Sequence, residues 1–170
     1  MKITSLHERR FKAGIEEAGR LIDGLAGPED RLWPREQWPP MAFDRGLAPG
    51  ARGGHGPVRY HVRELCPGRR AVFEFDPEGV VADMRGVHYF EAEAQGPETS
   101  LRHVIQAEGG PVLWLHWHLM VRPLHDALVE DSLDLAEQAL TGRVQNPAAW
   151  SPWVRFLRWM MLRLNNGRSA

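Results

Sequence analysis

The chain of 170 residues has the size of one domain, and its 43% hydrophobic and 25% charged residues are typical of a globular protein. Its formal net charge of -1 lacks the basic excess of a nucleic-acid-binding domain. One cysteine, Cys66, excludes an intrachain disulfide framework, and no apolar run approaches the ~20 residues that span a bilayer. The N-terminal residues do not resemble a signal peptide, so we expect a cytoplasmic protein without a nucleic-acid partner.

The first third of the chain predicts one strand and one helix. Residues 2–12 alternate weakly between apolar and polar and predict a strand, whereas apolar residues recur at helical spacing from Ile15 to Leu25. Residues 31–41 contain three prolines and predict a short helix or a packed turn. Residues 46–56 contain five glycines and predict a loop.

A run of alternating segments then predicts an antiparallel meander, because only short turns separate them. The predicted strands are residues 58–65, 70–76, 84–94, 99–108 and 111–121. Helical spacing follows, with Pro123 at a first helical position and Gly142 as a C-terminal cap. A second helical stretch covers residues 150–164.

Two-residue turns at Gly96-Pro97 and Gly109-Gly110 predict the register of the last three strands. This register gives one sheet face an unusual number of aromatic rings and four imidazoles. A buried imidazole needs a hydrogen-bond partner, so such a face suits a partly hydrated ligand cavity. The alternative is that each histidine is structural, at the rim or bonded to backbone. The candidate cavity residues are Tyr60, Phe73, Phe75, His88, Phe90, His103, Ile105, Trp114, His116 and His118.

The element order resembles that of the START-like (SRPBCC) superfamily, in particular bacterial polyketide cyclase/dehydrase-like and lipid-transfer-like proteins. The resemblance covers about residues 2 to 142 and depends on the residues Gly53–Pro57, Pro67–Arg69, Gly86–Phe90 and Pro123–Asp131. It implies an α+β helix-grip fold: a curved antiparallel sheet wrapped around a long C-terminal helix, with two short helical segments after the first strand and an elongated apolar cavity. The superfamily usually has seven strands, and the seventh is expected within residues 46–56.

Two functions follow as expectations. The first is binding of an apolar or aromatic small molecule, such as a lipid or polyketide, without a cofactor. The second is an enzyme of cyclase, aromatase or dehydratase type, with His88, His103, His116 and Tyr60 as acid–base candidates. The glycine-rich loop is expected to gate the cavity mouth, with His55 at its rim. His125 and Asp126 are neighbours on a helix, and their side chains are expected to diverge by about 100°.

A metal site is a lesser alternative. Gly110, His116 and His118 match the opening of a cupin motif, and histidines two apart on a strand point the same way. The motif then needs a glutamate where this chain has Arg122 and Pro123. His103 or His88 are possible replacement ligands, because three imidazoles suit zinc.

The C-terminal segment differs from the rest of the chain in charge. Residues 143–170 contain five arginines and no acid, whereas residues 1–142 carry a net charge of -6. We therefore expect a START-like domain over residues 1–142 and a basic, tryptophan-rich helical extension over residues 143–170. The apolar face of the extension is expected to dock on the body, form a homodimer or touch a membrane surface through Trp150, Trp153, Arg155 and Arg158.

Overall fold

A computed structural model describes residues 1–166, with side chains through Arg163. Those residues form seven strands in one antiparallel sheet, with the order β1-β7-β6-β5-β4-β3-β2. The strands are β1 (Lys2–Phe11), β2 (Met41–Phe43), β3 (Arg52–His55), β4 (Val58–Cys66), β5 (Arg70–Gly79), β6 (Arg85–Gln95) and β7 (Glu98–Glu108). The helices are α1 (Ile15–Asp23), α2 (Pro111–His116), α3 (Arg122–Thr141) and α4 (Pro152–Asn166), with a π-helical turn at Trp117–Val121.

The expected α+β helix-grip arrangement is confirmed: the sheet packs one face against the helical segment that runs from residue 111 to 141. Of the two short helical segments expected after the first strand, one is α1, whereas residues 31–40 form bends and turns. The seventh strand expected within residues 46–56 is β3, which pairs with β2 and β4. The backbone of β3 lies too close to its neighbours to accommodate side chains at its glycines, since a Cβ on Gly53 would lie 1.9 Å from the carbonyl oxygen of Ala42.

The predicted register of β6 and β7 is confirmed. The turn at Gly96-Pro97 aligns His88 with Ile105 and Phe90 with His103. Because the side chains of both pairs point to the same side of the sheet, they meet beneath the helices.

The predicted strand over residues 111–121 is wrong, because these residues form α2 and the π-helical turn. Strand β7 already pairs with β6 on one side and β1 on the other, so no free edge remains for another strand. Leu113 and Trp117 are buried four residues apart, at helical spacing, and Pro111 occupies the first helical position.

The C-terminal helix docks on the body of the protein. Val154 and Leu157 of α4 are buried, and the Arg158 guanidinium lies 4.2 Å from the ring centre of Trp38 and 4.1 Å from that of Trp150. No helix described between residues 1 and 166 is both long and apolar enough to cross a bilayer. The Leu164 side chain and Arg168 lie outside the described part of the chain.

A buried carboxylate ties three segments together. Asp131 of α3 accepts hydrogen bonds from the indole N–H groups of Trp38, at 2.7 Å, and Trp150, at 2.9 Å. Burial raises the pKa of Asp131, although these two hydrogen bonds oppose the shift. The segment before β2 and the segment before α4 are therefore held by one side chain.

Candidate functional site

The sheet brings together seven of the ten predicted cavity residues, on the face that meets the helices. They are Tyr60 on β4, Phe73 and Phe75 on β5, His88 and Phe90 on β6, and His103 and Ile105 on β7. Phe73 and Phe75 both stack on His88, with ring centres 5.0 and 4.9 Å apart. Apart from Phe75, which is half-buried, these side chains are buried.

The other three predicted residues lie on the helical segment. Trp114 is half-buried against the cluster around Ile105, whereas His116 and His118 are exposed. Nδ1 of His118 lies 2.8 Å from the carbonyl oxygen of Trp114 in its own helix. The cupin-like motif required a strand at these residues, so that interpretation is wrong, and His116 is not an interior acid–base group.

Five histidines and one tyrosine form what we call the imidazole row. It begins where Nδ1 of His55 lies 2.9 Å from the Tyr60 hydroxyl oxygen. The Tyr60 ring contacts His88 edge to face, and Nδ1 of His88 lies 3.3 Å from Nε2 of His103. His103 adjoins His125 of α3, with ring centres 5.0 Å apart. His125 in turn adjoins His7 of the edge strand β1, with ring centres 5.8 Å apart.

Three ring nitrogens of this row are buried without a hydrogen-bond partner among the described residues. They are Nε2 of His88, Nδ1 of His103 and Nε2 of His125. A buried polar atom left unpaired costs about 1–3 kcal/mol, and native proteins contain few. Within the described residues none of these three rings is hydrogen-bonded to backbone: His88 and His103 contact each other, and His125 contacts Asp126.

Burial keeps the interior of the row uncharged. It lowers the pKa of His55 to about 3 and holds the pKa values of His88 and His103 well below 6.5. Burial also raises the pKa of the Tyr60 hydroxyl well above 10. At neutral pH these groups offer neutral donors and acceptors rather than charge.

The outer end of the row is different, because it meets acidic residues of α3. Nδ1 of His7 lies 2.7 Å from Oε1 of Glu130, and Nε2 lies 3.0 Å from Oδ1 of Asp126. Burial acts to lower the pKa of His7, but these two carboxylates outweigh it and raise the pKa. Nδ1 of His125 lies 3.3 Å from the same Oδ1 of Asp126, so the expected divergence of His125 and Asp126 is wrong.

Sequence reasoning missed this outer cluster. The acids Asp126, Glu130, Asp134 and Glu137 are spaced on one face of α3, where they meet His7 and Arg9 of β1. The spacing is visible in the sequence, as is the alternation that places His7 and Arg9 on one side of β1. The sequence does not show that the first strand pairs with β7 at the sheet edge and so lies beneath α3.

Two cavities lie on the described part of the protein surface, and residues of the imidazole row line neither of them. An open groove of about 690 Å³ runs between the start of α1 and the β6–β7 turn, from Lys12 to Thr99. A second space of about 310 Å³ lies between α1 and the end of α3. His55 is half-buried on β3, with its ring against Trp33, rather than on a loop at a cavity mouth.

The chain is similar to several solved structures. CalU16 from Micromonospora echinospora shares 14% identity, with a TM-score of 0.56 over 92% of this chain and 82% of that one. A protein from Thermobifida fusca shares 14%, with a TM-score of 0.63 over 87% and 99%. The conserved protein EF2215 from Enterococcus faecalis shares 13%, with a TM-score of 0.56 over 97% and 86%.

No protein-family model and no curated protein matches the chain. At this level of identity the structural similarity shows the fold alone. That fold is the α+β helix-grip arrangement that the element order indicated.

Proposed function

We propose that this protein is a START-like binding protein for a small molecule with an apolar or aromatic body and a polar group. The ligand would lie between the sheet and the helical segment, against the imidazole row. The observation that carries the proposal is the set of three unpartnered nitrogens, on His88, His103 and His125. A structural role would pair these atoms with backbone or side chains, whereas a ligand supplies the missing donors or acceptors.

The surroundings of these nitrogens favour a flat ligand. Phe73 and Phe75 both stack on His88, and Tyr60 meets it edge to face. Aromatic walls with a few polar groups are typical of small-molecule sites. Because Tyr60, Phe73 and Phe90 are fully buried, we expect side chains to move aside when the ligand enters.

The test is a binding screen with an environment-sensitive apolar dye, followed by competition with fatty acids, polyketides and hydroxylated aromatic compounds. We expect hydroxylated aromatic compounds to compete best, because they offer both a ring and a polar group. The matched variants are His88→Leu, which removes an unpartnered nitrogen, and His118→Leu, which removes an exposed imidazole. Equal binding by wild type and His88→Leu would contradict the proposal.

One observation favours acid–base chemistry as a second candidate. Tyr60 and His55 form a part-buried 2.9 Å pair, and Tyr60 contacts His88, so proton donors and acceptors adjoin the imidazoles that the ligand would meet. A cyclase or dehydratase needs such groups within hydrogen-bond reach of its substrate. If Tyr60→Phe and His55→Gln keep ligand affinity but lose turnover of a bound polyketide, this second function is correct.

A further inference from the structure

The outer end of the imidazole row carries a set of atoms suited to a metal ion. His7, His125 and Asp126 each offer one ligand atom, and these atoms all lie within 4.8 Å of one another. From these positions we infer that the protein binds one transition-metal ion, of the zinc type, between edge strand β1 and the start of α3. This site is separate from the exposed histidines that the sequence had suggested.

The distances fit tetrahedral coordination. Oδ1 of Asp126 lies 3.0 Å from Nε2 of His7 and 3.3 Å from Nδ1 of His125. Zinc bonds of about 2.0–2.2 Å to nitrogen and oxygen place neighbouring ligands roughly 3.4 Å apart in a tetrahedron. Two imidazoles and one carboxylate leave the fourth position for water or a ligand group, as in catalytic zinc sites.

The groups around these atoms match a metal site. Glu130 lies 2.7 Å from Nδ1 of His7 and would orient that ring, so that Nε2 faces the ion. Glu130 is in turn held by Arg9 through its other oxygen. Arg122 lies 3.4 Å from Oδ2 of Asp126, which leaves Oδ1 facing the two histidines.

The nitrogens that do not bind the metal show how the ion would affect the imidazole row. A metal on Nδ1 of His125 leaves the proton on Nε2, an atom that has no protein partner. The adjacent His103 ring also has an unpartnered nitrogen, Nδ1, and its other nitrogen meets His88. Metal binding would therefore fix the protonated nitrogen of His125.

The test is titration of the purified full-length chain with Zn²⁺ by calorimetry and with Co²⁺ by absorption. We expect one ion per chain and the visible bands of tetrahedral Co²⁺. His7→Gln and Asp126→Asn should each weaken Zn²⁺ binding more than 100-fold, and Glu130→Gln should weaken it about 10–100-fold. The matched control is His61→Gln on β4, because His61 also contacts two carboxylates, Asp76 and Glu74.

Two results would overturn the metal site: absence of Zn²⁺ binding by wild type, or an equal loss of Zn²⁺ affinity in His61→Gln and His7→Gln. Circular dichroism checks that each variant is folded. The metal site does not depend on the proposed small-molecule function, because the titration is read without any organic ligand.

A second inference concerns the outer face of α4. Its inner face packs on the body, yet Trp153, Phe156, Trp159 and Leu162 are about half exposed, at 46–59%. The Trp153 indole donates to the carbonyl oxygen of Leu119, which is itself exposed. A helix that is apolar on both faces needs a partner for the outer one.

We propose that this outer face binds an anionic membrane surface. Exposed Arg155 and Arg163 flank the aromatic strip, and the segment from residue 143 onward contains no acid. Tryptophan rings lie at the headgroup boundary, and each arginine near an anionic surface adds about 1 kcal/mol. This charge favours lipid over a second copy of the chain, which would bring two basic segments together.

Vesicle flotation tests this surface, with phosphatidylcholine alone and with added phosphatidylglycerol. We expect binding only to the anionic vesicles, loss of binding in Phe156→Ser/Trp159→Ser, and about fivefold weaker binding in Arg155→Gln. The matched control is Leu6→Ser, which removes an exposed apolar residue of β1. If wild type ignores anionic vesicles, or if the double variant only converts a dimer to a monomer in sedimentation, the membrane surface is wrong.

Discussion

Nδ1 of His88 and Nε2 of His103 lie 3.3 Å apart in the buried interior, so one neutral imidazole donates to the other. This contact uses one nitrogen of each ring and leaves Nε2 of His88 and Nδ1 of His103 without partners. The pair therefore stabilises the fold less than a fully hydrogen-bonded pair would, and in the proposed complex the ligand would supply the missing partners.

We predict that His88→Leu/His103→Leu keeps or raises stability while it removes ligand binding. Apolar side chains take away two unpaired polar atoms, so the free energy of unfolding should equal that of wild type or exceed it by up to about 2 kcal/mol. Urea unfolding measures this. The control Phe73→Ala should lose about 3–5 kcal/mol, because Phe73 is fully buried. A comparable loss in the double variant would show that the imidazoles serve the fold.

We predict that stability falls on acidification and that His55 contributes to the fall. Its pKa is about 3 in the folded state, against 6.5 ordinarily, so between those values the unfolded chain binds more protons. Stability therefore decreases as pH falls through this window, by at most about 1.4 kcal/mol per pH unit for this group. His55→Gln keeps a partner for Tyr60 but does not titrate, so its unfolding free energy should depend less on pH. The exposed Val112→Gln should leave the slope unchanged, because neither side chain titrates, and an unchanged slope in His55→Gln would contradict the prediction.

We predict that Asp131→Ala costs about 2–4 kcal/mol, because it leaves the indole N–H groups of Trp38 and Trp150 unpaired. Unfolding followed by tryptophan fluorescence measures the change. Trp150→Phe should cost less, since the Trp38 bond survives. Asp83→Ala serves as control, because Asp83 is exposed. Equal stability of Asp131→Ala and Asp83→Ala would show that the carboxylate does not hold these segments.

We predict that Arg9→Met destabilises the fold by about 1–3 kcal/mol, since it leaves the half-buried Glu130 and Asp134 and the buried Glu137 without their shared cation. Arg9 lies 2.6 Å from Asp134 and 3.0 Å from both Glu130 and Glu137. Arg9→Lys should recover only part of the lost stability, because an ammonium lacks the planar fork with which the guanidinium reaches three acids. Thermal unfolding of both variants measures the difference, and full recovery in Arg9→Lys would show that charge alone matters.

The sequence predicts the sheet well where local turns set the register. The turn at Gly96-Pro97 correctly aligned His88 with Ile105 and Phe90 with His103, so much of the interior was identified from the residues alone. The same reasoning failed after Gly109-Gly110. The apolar and polar residues of 111–121 fit a strand and a helix alike, because the segment is short. The strand is excluded only because β1 already occupies the edge of β7 where it would pair.

The outer cluster could not be predicted for a different reason. Acids near the start of a helix are explained locally by the helix dipole, so Asp126 and Glu130 needed no distant partner. Their partners His7 and Arg9 come from the other end of the chain. Long-range pairing of charged residues leaves little trace in a single sequence.

The pairing of β1 with β7 also determines how the chain assembles. Lys2 pairs with Glu108, roughly a hundred residues later, so β1 is synthesised well before β7 and is among the last of the seven strands to find its neighbour. Until then its backbone donors and acceptors have only water, and His7, the one metal-binding residue that β1 carries, is far from His125 and Asp126 on α3. Contacts this distant in sequence are typical of slow folding, so we expect the β1 edge of the sheet to close late.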